Sequence, residues 1–101
     1  MGEGQGRSRP VMTYAIEISA PAAKALEKIP KSTRLRIVGA IELLSVDPRP
    51  PGAKMLRGGE HGRWRVRIGD YRIVYAIEDG RLLVLVLRIA HRREAYDRQV
   101  D

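Results

Sequence analysis

Residues 63–89 read RWRVRI-GD-YRIVYAI-EDG-RLLVLVLRI, three runs rich in β-branched and aromatic residues separated by turn dipeptides. That pattern demands a three-stranded antiparallel meander. Gly69-Asp70 suits a two-residue type II′ turn, because glycine takes the first corner at positive φ, and Asp79-Gly80 suits type I′. The last strand, Leu82 to Ile89, is apolar on both faces and belongs in the middle of a sheet. With Gly69-Asp70 as the loop, Ile68 faces Tyr71, Arg67 faces Arg72, Val66 faces Ile73 and Arg65 faces Val74. Arg65, Arg67 and Arg72 then share one face. Trp64, Val66, Ile68, Tyr71, Ile73 and Tyr75 form the other, an apolar surface suited to receive helices.

The N-terminal half supplies them. TYAIEI alternates Tyr14, Ile16 and Ile18 inward against Thr13, Ala15 and Glu17, as a half-buried strand does. Ser19 is placed to cap a helix with Pro21 in its first turn, which good helix formers continue toward Pro30. Lys31 and Ser32 restart the chain in STRLRIVGAIELLSV, a second helix ending before Asp47 and Pro48. Ile37, Ile41 and Leu44 form its apolar stripe, while Leu35, Leu43 and Val46 lie on another flank. Helices apolar on more than one flank are most often buried there, and otherwise present a groove for a partner. DPRPPGAKMLRGGEHG reads as a Pro- and Gly-rich connection. The expected fold is α+β: a small, mostly antiparallel sheet of an N-terminal strand and the meander, with both helices on one face. Residues 1–11, Gly-rich and without period, read as a disordered extension, and 12–101 as a single domain.

Composition narrows the partners. The chain has 101 residues, no cysteine and a formal charge of +7. No disulfide framework or thiolate zinc site is available, and a reducing cytoplasm is the natural compartment. No run reaches transmembrane length, and a membrane partner is not expected. The charge favours nucleic acid or an acidic protein. Fifteen of the nineteen cations are arginine, a bias that suits bidentate phosphate recognition and also arises from a GC-rich genome.

Position distinguishes these origins. Like charges directly across a ladder are unfavourable by a few tenths to about 1 kcal/mol, so Arg67 opposite Arg72 is a poor choice for stability alone. Either the guanidinium groups splay into solvent, or a polyanion removes the repulsion. The final strand runs back beside 71–77, which brings the stretch RIAHRREAYDR, with His91, Arg92 and Tyr96, toward those arginines. No carboxylate pair or histidine cluster is present to hold metals, since Glu94 and Asp97 are isolated and His61 sits in the Gly-rich loop. Neither metal nor other cofactor is expected. RNA suits such a site because it carries its own nucleophile, the 2′-hydroxyl. Guanidinium is a poor proton acceptor, so His91 or Tyr96 is left to move protons while arginine stabilises the phosphorane.

From Met12 onward the chain resembles the RelE family of bacterial type II toxins, within the RelE/ParE superfamily. TYAIEISAPAAKALEKIP, AKMLRG, WRVRIGDYRIVYAI and LRIAHRREAYDR carry the resemblance, GDYRIVYAI followed by AHRREAY most specifically. The resemblance implies a compact sheet flanked by two helices and a ribosome-dependent mRNA endonuclease. It also implies restraint by a cognate acidic, RelB-like antitoxin, with operator DNA contacted only through the toxin-antitoxin complex. It places Arg65, Arg67, Arg72, His91, Arg92 and Tyr96 at catalytic positions. Lys54, Arg57, Arg63 and Arg93 are the further basic residues expected to hold RNA phosphates. Arg65 and Arg67 stand where the best-known member has lysines, and arginine hardly serves as a base. A ParE-like toxin that poisons DNA gyrase and an RNA-binding module without catalysis are the alternative readings.

Overall fold

The computed structural model describes residues 13–57 and 62–93, so the 1–11 extension, Met12, His61, Glu94, Tyr96 and Asp97 lie outside the described residues. Strand β1 (Ala15–Ile18) leads into helices α1 (Ala20–Glu27) and α2 (Lys31–Leu44). Then follow β2 (Lys54–Met55), β3 (Arg63–Ile68), β4 (Tyr71–Glu78) and β5 (Leu83–His91). The sheet order is β1-β5-β4-β3-β2, with β1 parallel to β5 and every other neighbour antiparallel. The last strand is interior, between β1 and β4, as its two apolar faces require.

The first hairpin has the register read from the sequence: Ile68 pairs with Tyr71, Arg67 with Arg72, Val66 with Ile73 and Arg65 with Val74. Gly69 takes a φ of +58°, and Asp70 has no positive φ, which is what a type II′ corner needs. The second hairpin departs from expectation. Glu78 pairs with Leu83, leaving a four-residue loop in which Asp79–Arg81 form a 3₁₀ turn and Leu82, not Gly80, is left-handed at φ +49°. Contacts from outside the hairpin impose this. Tyr14 Oη donates to Asp79 Oδ1 at 2.6 Å, Arg49 Nη2 reaches Asp79 Oδ2 at 2.9 Å, and Ala15 N donates to the Leu82 carbonyl at 2.7 Å. These ties offset a backbone strain of about 1–2 kcal/mol at Leu82.

Both helices pack on the apolar sheet face. Ala22, Ile29, Ile37, Ile41 and Leu44 meet Ile73, Tyr75, Val84, Val86 and Ile89, with Tyr14, Ile16, Trp64, Val66, Ile68, Tyr71 and Ile77 around them. Ser19 joins α1 to the centre of the sheet: its Oγ accepts from Ala22 N as the helix cap and donates to the Leu87 carbonyl at 2.8 Å. Leu87 is the extra residue of a β-bulge, since Val74 pairs with Arg88 but Tyr75 with Val86. Tyr75 is wholly buried, and its hydroxyl donates to the Pro48 carbonyl at 2.7 Å. Burial pushes that phenol up to about 12.

Three expectations need correction. Lys54–Met55, read as part of a connection, forms an edge strand on β3. A two-residue strand has too little alternation to be seen in sequence, and its neighbour's ladder creates it. Ile18, expected to face inward, is exposed at the end of β1. Leu35, Leu43 and Val46 are also exposed, Leu43 at 68%. The sheet covers one side of α2, and nothing among the described residues covers the other.

Candidate functional site

Strand alternation puts two rows of cations on the sheet face away from the helices. One row runs Arg67, Arg72, Ala90 across β3, β4 and β5. The next, two residues further along, runs Lys54, Arg65, Val74, Arg88 across four strands. Arg72 and Arg65 are buried, at 4% and 9% exposure, whereas Arg67 is open to solvent. Arg72 is thus held within the sheet surface, and Ala90 opposite it leaves room for the guanidinium.

At the hairpin end the first row opens into a cleft of about 100 Å³ lined by Arg67, Gly69, Asp70, Tyr71, Arg72 and Arg92. Arg92 reaches it because its backbone N–H donates to the Asp70 carbonyl at 2.7 Å, carrying the ladder one step past β5. Among the described residues, the Asp70 carboxylate enters no hydrogen bond or ion pair, and neither do the guanidinium groups of Arg67 and Arg92. Among the described lining residues three cations stand with one carboxylate, around a space of phosphate size. The same carboxylate is a proton acceptor amid groups that cannot act as one.

His91 does not share that face. It pairs with Tyr71, whereas Arg72 pairs with Ala90, and successive strand residues point to opposite sides. Its ring stands edge-on to Tyr71, centroids 5.2 Å apart at 88°. Arg93 N–H donates to His91 Nδ1 at 3.2 Å, which leaves the proton of the neutral ring on Nε2. His91 therefore touches the cleft wall from behind. Arg92 is brought to the arginines, and strand parity separates His91 from it.

Of the other expected residues, Lys54 sits on β2 beside Arg65, and Arg57 is exposed just beyond it. Arg63 begins β3 opposite Ala76, at the far end from the cleft, and Arg93 is exposed after Arg92. Tyr96 lies outside the described residues. Sequence reasoning missed three positions. Asp70 and Tyr71 read only as turn and core residues. Arg88 is visible as the lone charge within LLVLVLRIA. At the opposite end of the sheet, Tyr14, Asp79 and Arg49 form a clamp, with Arg49 5.4 Å from the Trp64 ring centre. Hydrogen bonds from Arg49 and then Tyr14 hold the Asp79 carboxyl below its ordinary range, and the bond to Asp79 raises the Tyr14 phenol. This clamp fixes the second hairpin and is remote from the cleft.

Residues 16–96 match the family model described as ParE toxin of type II toxin-antitoxin system, parDE. Toxin RelE of Mycobacterium tuberculosis (strain ATCC 25618 / H37Rv) is 38% identical over 85 residues, covering 82% of this chain and 86% of that one. Toxin RelG of the same strain is 34% identical over 88 residues, covering 86% of this chain and all of that protein. Among solved structures, the toxin-antitoxin complex RelBE2 from Mycobacterium tuberculosis contains a chain similar at a TM-score of 0.74 and 29% identity. The likeness covers 84% of this chain and 98% of that one.

Proposed function

Because the chain belongs to the ParE toxin family of type II toxin-antitoxin systems, within the RelE/ParE superfamily, we propose that it is a ribosome-dependent mRNA endonuclease. The observation that carries this reading is the positive cleft at the hairpin end, where Arg67, Arg72 and Arg92 converge around one anion-sized space. The RelE-named relatives support the same activity.

In the reaction the RNA 2′-oxygen attacks the adjacent phosphorus, the bond to the 5′-oxygen breaks, and a 2′,3′-cyclic phosphate and a 5′-hydroxyl result. Buried Arg72 supplies a fixed guanidinium to a non-bridging oxygen. Arg67 and Arg92 close from either side, and Arg65 extends the field, so the charge gained by the phosphorane is met without reorganisation. Proton transfer falls to a small set. Asp70 accepts from within the cleft, and of His91 and Tyr96, the two groups expected to move the proton, His91 stands behind Tyr71 on the other face, which favours Tyr96. Lys54, Arg57, Arg63 and Arg93 hold flanking phosphates. The ribosome presents the message, which places the reaction in the cytoplasm.

The restraining partner is an acidic, RelB-like antitoxin, through which operator DNA is reached. The +7 charge supports it, and so do the exposed Leu35 and Leu43 on α2 with Val46 just past its end. The ParE family model favours a second reading, gyrase poisoning without RNA cleavage. Induction of the protein followed by mapping of mRNA 5′ ends separates the two. The nuclease reading expects breaks within translated codons that disappear with Arg72→Ala. Intact message with trapped gyrase-DNA complexes would overturn it.

A further inference from the structure

Arg88 plays no part in the cleft, yet it is a cation set into an interior strand of the sheet. Its pairing with Val74 directs it to the same outer face as Arg65, which pairs with Val74 from the other side. Strands are about 4.8 Å apart, so Arg65 and Arg88 stand about 10 Å apart across a Val74 that is only 2% exposed. Two long guanidinium side chains facing each other over a flat apolar residue can close on one small anion. Lys54, next to Arg65 on β2, extends the row to the sheet edge.

The Nη2 nitrogen of Arg88 is buried and has no hydrogen-bond partner. A charged donor removed from water without an acceptor is a net cost to the free fold. Of the carboxylates mapped to this sheet face, Glu17 opposite Leu85 lies one row from Arg88 without an ion pair to it among the described residues, and Glu78 opposite Leu83 is engaged by Arg81 at 2.9 Å. An anion brought to this row can supply the missing acceptor. This row lies two residues from Arg67 and Arg72, about 7 Å along the strands. An extended ribose-phosphate unit spans such a step.

We propose that Lys54, Arg65 and Arg88 form a second phosphate subsite on the outer sheet face, which takes the phosphate next to the scissile one in single-stranded RNA. The subsite rests on the nuclease reading above and adds Arg88 as the residue that makes it. Arg88 binds and positions the strand and does not touch the reacting atoms.

The test measures binding of the full chain to a short 2′-O-methyl RNA, which cannot be cleaved, by fluorescence anisotropy across a salt series. Arg88→Met is expected to weaken binding about tenfold and to make the slope of log K against log salt shallower by about 0.7, one single-strand phosphate contact. Melting temperature should hold or rise, because the orphaned donor is gone. Arg88→Lys guards against a folding defect: it should keep the slope and lose only about two- to fivefold in affinity, the share due to the two-pronged guanidinium. Unchanged affinity and slope in Arg88→Met with a raised melting temperature would overturn the subsite and leave Arg88 as a cost of the fold. Weakened binding of an acidic antitoxin peptide with RNA binding intact would also overturn it. Absence of RNA binding in the wild type would overturn the subsite too, whereas the nuclease reading stands or falls on cleavage of ribosome-bound message.

Discussion

Replacing Arg67 with threonine should stabilise the protein while disabling it. Arg67 and Arg72 are direct ladder partners, so their side chains leave the sheet on the same face. Two unit charges about 7 Å apart in water repel by about 0.6 kcal/mol, and more where the dielectric falls, as it does around buried Arg72. Cross-strand like-charge pairs cost from about 0.2 to 1 kcal/mol, which agrees. Threonine is a good strand former and adds no penalty of its own. A gain of about 0.5–1 kcal/mol raises the melting temperature of a domain this size by roughly 2–6 °C. Calorimetry at low salt should show the rise, and at 1 M salt, where screening acts within about 3 Å, most of the difference should vanish. Cleavage of ribosome-bound message should fall by about 10²-fold, because a phosphate contact is lost. A lower melting temperature in Arg67→Thr, or a rise that ignores salt, would refute the repulsion. A rise with cleavage intact would refute the placement of Arg67 on the phosphate.

Ser19→Ala loses both the α1 cap and the donor to the bulge carbonyl of Leu87, and chemical denaturation should show a loss of about 1–2 kcal/mol. Tyr75 has its folded pKa raised from about 10 to about 12, so its contribution is complete below pH 10 and is lost as pH climbs toward 12. Two units correspond to about 2.7 kcal/mol, and stability measured across pH 9–12 should fall more steeply in the wild type than in Tyr75→Phe. Asp79 has the opposite sign: its pKa is lowered, so its contribution is present above the ordinary carboxylate range and lost as acid protonates it. Asp79→Asn should flatten the acid limb of the same profile. Leu35→Lys and Leu43→Lys, both on the exposed flank of α2, should each change stability by less than about 0.5 kcal/mol. Together they should raise the dissociation constant for the antitoxin in a titration.

Much of the architecture is legible because its signals are local. Gly69-Asp70 sets one loop length, and from it the whole β3–β4 register follows, including the placement of Arg65, Arg67 and Arg72. Ser19 and Pro21 mark α1 for the same reason. What escapes is set by distant contacts. Asp79-Gly80 has the composition of a two-residue turn, but Tyr14 and Arg49 pull Asp79 into a 3₁₀ turn and move the left-handed residue to Leu82. The edge strand at Lys54 exists only because β3 offers it a ladder. The candidate site divides along the same line. Arg92 is brought to the arginines by the meander, while His91, one residue earlier, faces the other way beside Tyr71. Asp70 was hidden by its role in the turn, since the bend that makes it a corner residue also places it in the cleft wall.

The central claim is that the RNA supplies the nucleophile and arginines meet the charge. It is tested most directly with ribosomes programmed with a message carrying a single 2′-deoxy nucleotide immediately 5′ of the scissile phosphate. The account predicts that purified protein cuts the all-ribose message to a 2′,3′-cyclic phosphate and a 5′-hydroxyl, and leaves the deoxy-substituted position intact. Cleavage at the deoxy position, or a 5′-phosphate product, would contradict it.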